Sequence, residues 1–181
     1  GLSSGTLVIN MKGSTETISA ADFGSDLGSN KRVYVVGQGD ETDRPTWTWS
    51  AAASTLLLDQ ASLVLDNLNL NLEPGTGTIT VAAPLSLTAV GCGLRRCKIR
   101  GGTDASNLVT VGITISAADC FLEQITYYAA TAAEATTHLR LTAADRLRVR
   151  DLYMYAATSA VGVGVVQFLT SRADGRSRLF A

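Results

Sequence analysis

Leu63-x-Leu65-x-x-Leu68-x-Leu70 is the first of four copies of one eight-residue phrase: apolar, any, apolar, any, any, apolar, any, apolar. The other copies are Cys92-x-Leu94-x-x-Cys97-x-Ile99, Cys120-x-Leu122-x-x-Ile125-x-Tyr127 and Leu147-x-Val149-x-x-Leu152-x-Met154. Successive copies start at positions 63, 92, 120 and 147. A shorter phrase precedes each copy: Leu58-Asp59-Gln60-Ala61, Leu87-Thr88-Ala89-Val90, Ile115-Ser116-Ala117-Ala118 and Leu141-Thr142-Ala143-Ala144, starting at 58, 87, 115 and 141. Two phrases holding one period identify a repeat architecture whose units stack on one another.

Within the phrase the apolar residues alternate, skip one extra position and alternate again. Alternation with period two is a strand with one buried face. The extra residue therefore joins two short strands at a bend, with both apolar faces turned to the same side, as in a coil wrapped around a core. Stacked coils pair their strands in parallel about 4.8 Å apart, so like residues lie over like. Helical solenoids are the competing repeat, but they need longer runs with apolar spacing of three and four. The segments between phrases instead hold short alternating stretches at 79–81, 109–111, 139–141 and 163–165. The reading is all-β: a single-stranded parallel β-helix with about three strands per coil of about 28 residues. Its core ladder is expected to run through Leu65, Leu94, Leu122 and Val149, with a second column of Leu68, Cys97, Ile125 and Leu152. Asp66, Arg95, Glu123 and Arg150 follow the second apolar residue of each copy and are expected to stack at the bend as acid, base, acid, base. Opposite charges one rung apart support the register.

Residues 1–31 read as an N-terminal strand and cap, with a strand near 6–10 and a short capped helix over 19–28. Residues 32–181 read as the β-helix. The last stretch, 174–181, begins a fifth copy and stops without a cap, which points to further chain or a neighbouring subunit over that end.

The opening stretch Leu7-Val8-Ile9-Asn10, Gly13, Glu16-Thr17-Ile18 and Lys31 to Gly39, together with Leu94-Arg95-Arg96-Cys97-Lys98-Ile99, resembles the pectin-lyase-like right-handed parallel β-helices. That resemblance implies a right-handed coil and spans roughly residues 6–181. The superfold houses polysaccharide lyases and hydrolases, and also many bacteriophage tailspike, fibre and capsid-decoration proteins. By itself such a resemblance leaves function open.

With 46% hydrophobic and 17% charged residues, the chain has the composition of a packed domain rather than a disordered one. A net charge of −1 gives no general electrostatic case for nucleic acid or membrane binding. No apolar run reaches the roughly 18 residues of a membrane span. Cys92 and Cys120 share a slot in successive coils, within reach of a disulfide, but side chains stacked in parallel point the same way. All three cysteines, with Cys97, are expected as free buried thiols. One histidine in the chain and no paired ligand spacing imply no metal site and no cofactor. His138, following Glu134 in a loop, reads as a surface residue.

The residues together with this resemblance leave three functions as expectations. The first is a non-enzymatic structural protein of a virus or phage particle surface: a capsid-decoration or cement protein, or a tail spike or fibre module. It would be a homo-oligomer, a trimer by the resemblance, in contact with other virion proteins. The second is a carbohydrate- or receptor-binding module that engages a cell-surface glycan through Trp47 and Trp49, beside Asp40 and Asp43. The competing reading has both tryptophans packed inward. The third is a polysaccharide depolymerase. Asp66 and Glu123 would lie two rungs, about 9–10 Å, apart, inside the inverting range. Arg95 between them would hold both ionised, which leaves no ready general acid. Ice binding needs aligned Thr-x-Thr ranks; Thr46-x-Thr48 and Thr76-x-Thr78-x-Thr80 do not align by coil.

Overall fold

In a computed structural model the chain is a parallel β-solenoid with no helix among the described residues. Those are 5–18, 21–23, 31–49, 55–72, 79–81, 84–101, 107–109, 111–129, 137–156 and 164–168. The first coil is β1 (Gly5–Met11), β2 (Thr15–Ile18) and β3 (Ala21–Phe23). The second is β4 (Lys31–Gly37), β5 (Thr46–Trp49) and β6 (Leu56–Leu58). The third is β7 (Leu63–Asp66), β8 (Asn69–Asn71), β9 (Ile79–Val81) and β10 (Leu85–Leu87). The fourth is β11 (Gly93–Arg95), β12 (Lys98–Arg100), β13 (Asn107–Val109) and β14 (Val111–Ile115). In the last two coils the strands on either side of the bend are continuous: β15 (Phe121–Ala129) with β16 (Thr137–Leu141), then β17 (Arg148–Ala156) with β18 (Gly164–Phe168).

Every pairing is parallel and joins a strand to its counterpart one coil away. The first ladder runs β1-β4-β7-β11-β15, and β17 pairs β15. The second runs back from β15 through β12, β8 and β5 to β2. The third is β18-β16-β14-β10-β6-β3, and β9 pairs β13 in a small fourth patch. The opening segment thus supplies a rung to each main ladder. The short helix expected over 19–28 is a strand at Ala21–Phe23, in register with Leu56–Leu58; the rest of that stretch lies outside the described residues, as does 174–181.

The register sets Leu65 against Leu94, Leu94 against Leu122, and Leu122 against Val149. Ile125 pairs Leu152 in the neighbouring column. Leu65, Leu94, Leu122, Leu68, Cys97 and Ile125 are buried. Leu152 is half-buried, and Val149, on the last described rung of its ladder, is 38% exposed. The shorter phrase stacks as well: Leu58, Leu87 and Ile115 pair rung on rung, with Ile115 opposite Leu141. The core is therefore continuous along the axis, as expected of residues that alternate inward on each strand.

The bend itself lies one residue beyond the expected place. Asp66 and Arg95 end their strands. The residues that turn are the next ones, Asn67, Arg96, Gln124 and Asp151, with φ of 59°, 49°, 54° and 53°. A single left-handed residue swings the chain and leaves the flanking strands free to keep one inward face. A second left-handed column precedes each phrase: Ser62, Gly91, Asp119 and Arg146, at φ of 60°, 74°, 58° and 52°.

Candidate functional site

Among the described residues, side chains with chemistry stand in the polar loop at 38–45, on the tryptophan strand β5, at the buried thiols and on the outer side of the first ladder.

In the loop, Asp40 and Asp43 are exposed. Asp40 accepts hydrogen bonds from the Thr42 amide at 3.0 Å and the Thr42 hydroxyl at 2.8 Å. These bonds hold its carboxyl below the usual range. This is a turn closed on itself. Trp47 and Trp49 do not join it. Both point into the core at 3% and 0% exposure, and the Trp49 indole N–H donates to the Pro84 carbonyl at 2.8 Å. The sugar-stacking surface expected of Trp47, Trp49, Asp40 and Asp43 is not formed, because alternation on β5 sends both rings inward. His138 is a further correction. It lies in β16, fully buried, with its ring edge-on to Tyr127 at 5.2 Å between centroids and an interplanar angle of 67°.

Cys92, Cys97 and Cys120 are free and buried. The Cys92 thiol donates to the carbonyls of Leu58 at 3.2 Å and Gln60 at 3.1 Å. Burial pushes Cys92 and Cys97 up to about 12 and Cys120 up to about 11. Thiols held protonated in this way are packing groups, not nucleophiles.

On the outer side of the first ladder, Asp66, Arg95, Glu123 and Arg150 stand in one column, each one rung from the next. Arg95 Nε reaches Glu123 Oε2 at 2.8 Å, and Arg150 Nη1 reaches Glu123 Oε1 at 3.3 Å. Asp66 departs from the expected pairing. It is 5% exposed, and both its oxygens are gripped by Arg96, Nε to Oδ1 and Nη2 to Oδ2, each at 2.7 Å. The left-handed turn at Arg96 aims that fork sideways at Asp66, while Arg95 is drawn to Glu123. A third clasp joins Arg146 to Asp119 at the other left-handed column, at 2.7 and 2.5 Å. Sequence reasoning missed Arg96 and Arg146 because neither residue type favours a left-handed backbone.

Beside this column Arg95, Phe121, Leu122, Glu123, Arg148 and Arg150 line a shallow depression. The Phe121 ring lies where a Gly93 side chain would stand. Arg95 and Arg148 flank it at 5.6 and 5.7 Å from the ring centroid, within cation–π range. A glycine one rung below makes room for the ring, and the two guanidiniums pin it.

No family model, curated protein or solved structure matches the chain.

Proposed function

We propose that this chain is a non-enzymatic structural protein: a stiff solenoid module at the surface of a virus or phage particle, of the capsid-decoration or tail-spike kind, assembled as a homo-oligomer. One observation carries the non-enzymatic part. All four carboxylate oxygens of Asp66 and Glu123, the pair that hydrolysis would need, are engaged by guanidinium nitrogens. A hydrolase needs one free proton donor and one base facing open space; here the carboxylates clasp one coil to the next. The oligomer has support in β1. Among the described residues β1 pairs only with β4, and its Leu7, Val8 and Ile9 are 37%, 50% and 37% exposed. An apolar strand with an open edge suits coverage by another chain. Particle-surface placement and threefold symmetry rest on the resemblance to pectin-lyase-like phage proteins.

The test has two arms. Incubation with a panel of neutral and acidic polysaccharides is expected to release no reducing or unsaturated ends, and light scattering is expected to give an oligomer mass. Chain cleavage of any polymer, abolished by Glu123→Gln, overturns the non-enzymatic reading. A monomer at all accessible concentrations overturns the assembly reading.

A further inference from the structure

We propose that copies of this chain stack end to end, the last coil of one on the first coil of the next, so that the solenoid continues across the contact. The partner is a second copy of the chain. This contact rests on the reading above that another chain covers β1; it names the surface that does so and is independent of particle placement.

One core column is open at both ends. Ile9, Val35, Leu65, Leu94, Leu122 and Val149 pair rung on rung along the inward side of the first ladder. Val35, Leu65, Leu94 and Leu122 are 1% exposed or less, whereas Ile9 and Val149 are 37% and 38% exposed. Among the described residues β1 pairs only with β4, and β17 only with β15. Each end therefore presents an apolar side chain on a strand edge, a surface that a further rung would bury. A rung added to β17 in the prevailing register runs parallel to it and sets an apolar residue over Val149. Ile9 of a second copy is such a residue, in the same slot of the same column.

The flanking positions agree with that placement. Arg148 belongs to the column of Val8, and Arg150 to the column of Asn10. In the stack these guanidiniums lie over Val8 and Asn10 of the next copy, and β1 carries no charge to oppose them. The exposed Asp151, at the bend, comes beside Lys12 of the next copy, its opposite in charge. Two first coils set face to face fit less well. They would run β1 antiparallel to its copy, where every ladder within the chain is parallel, and would leave Val149 uncovered. The contact joins unlike ends, so each addition leaves one end of each kind open and growth continues as a filament.

One residue opposes the contact. Glu16 is exposed, and it stands in the inward column of Trp47, Leu70, Ile99, Tyr127 and Met154. Stacking sets it against Met154 of the preceding copy. An inward-pointing charge on an edge strand works against edge-to-edge pairing, and a carboxylate buried beside a thioether loses its water without gaining a partner. Leu7 and Ile9 favour the stack and Glu16 weakens it, so association is reversible and follows concentration.

Light scattering on the intact chain over a concentration series is expected to give a mean mass that climbs without a plateau. Ile9→Lys spoils only the first-coil end, and Val149→Lys only the last-coil end. Each variant alone should stay a monomer, while an equimolar mixture should form a dimer through the two intact ends. Glu16→Gln is expected to strengthen association by about tenfold or more. Its side chain is exposed, so it keeps the contact testable if circular dichroism shows that a lysine variant has not folded. A parent chain that is monomeric at every concentration overturns the stack together with the assembly reading. A closed oligomer of fixed mass, unchanged by Ile9→Lys and Val149→Lys, overturns the stack alone. So does Val149→Lys that dimerises by itself, the mark of a head-to-head contact, and so does unchanged association of Glu16→Gln.

Discussion

Arg96 holds a left-handed φ of 49° and is tied to Asp66 through both carboxylate oxygens. A bulky residue in that conformation is strained, and the two-pronged ion pair offsets the strain. Asp66→Asn keeps the shape and removes the charge, so it should destabilise the fold by about 1–2 kcal/mol, most of it at low salt; an unchanged urea midpoint would show that the clasp contributes nothing. Cys97 acts through protonation. Its thiol is buried, donates to the Arg95 carbonyl at 3.2 Å and is pushed up from 9.0 to about 12. Between those values the unfolded chain gives up a proton that the folded chain keeps. Stability is therefore unaffected below about pH 9 and falls as pH rises toward 12, by about 1.4 kcal/mol per pH unit at most. Urea titrations between pH 8 and 11 should show a smaller alkaline loss in Cys97→Ala than in the parent.

Individual strands are only three to nine residues long, and close packing at single positions sets how neighbouring coils meet. Gly112 in β14 and Gly93 in β11 both leave space for an aromatic ring. A Cβ at Gly112 would stand 2.6 Å from the Tyr127 hydroxyl and 2.7 Å from the His138 backbone carbonyl. At Gly93 the nearest atoms it would meet belong to the Phe121 ring, which lies on the outer surface and is half-buried. Backbone yields less readily than a surface ring. Gly112→Ala should therefore cost about 2–3 kcal/mol and Gly93→Ala about 1 kcal/mol or less; thermal melts of the two variants giving the reverse order would contradict this packing account. The Gly93 variant should also move Phe121 from between Arg95 and Arg148. The inward alternation of β5, which buries Trp47 and Trp49, follows from the same strand period that carries the core columns.

The whole molecule behaves as a one-dimensional stack in which each coil rests on its neighbours. Removal of a complete coil, positions 93–120, joins Cys92 to Phe121 and leaves every column in register. That variant should fold cooperatively with a lower melting temperature, whereas removal of half a coil should abolish folding, as judged by circular dichroism. Equal tolerance of both deletions would refute a stacked register. The sequence alone determined the solenoid, its period and its core columns, because burial with period two and a repeat of fixed length have one common geometric solution. It also placed Asp66, Arg95, Glu123 and Arg150 on a common slot. It did not determine which guanidinium meets which carboxylate, where the bend residue lies, which way Trp47 and Trp49 face, or that Ile9 and Val149 are the exposed ends of one column. Those depend on backbone angles at single residues and on distances between coils that are remote along the chain, and residue order carries no such information until the chain closes on itself.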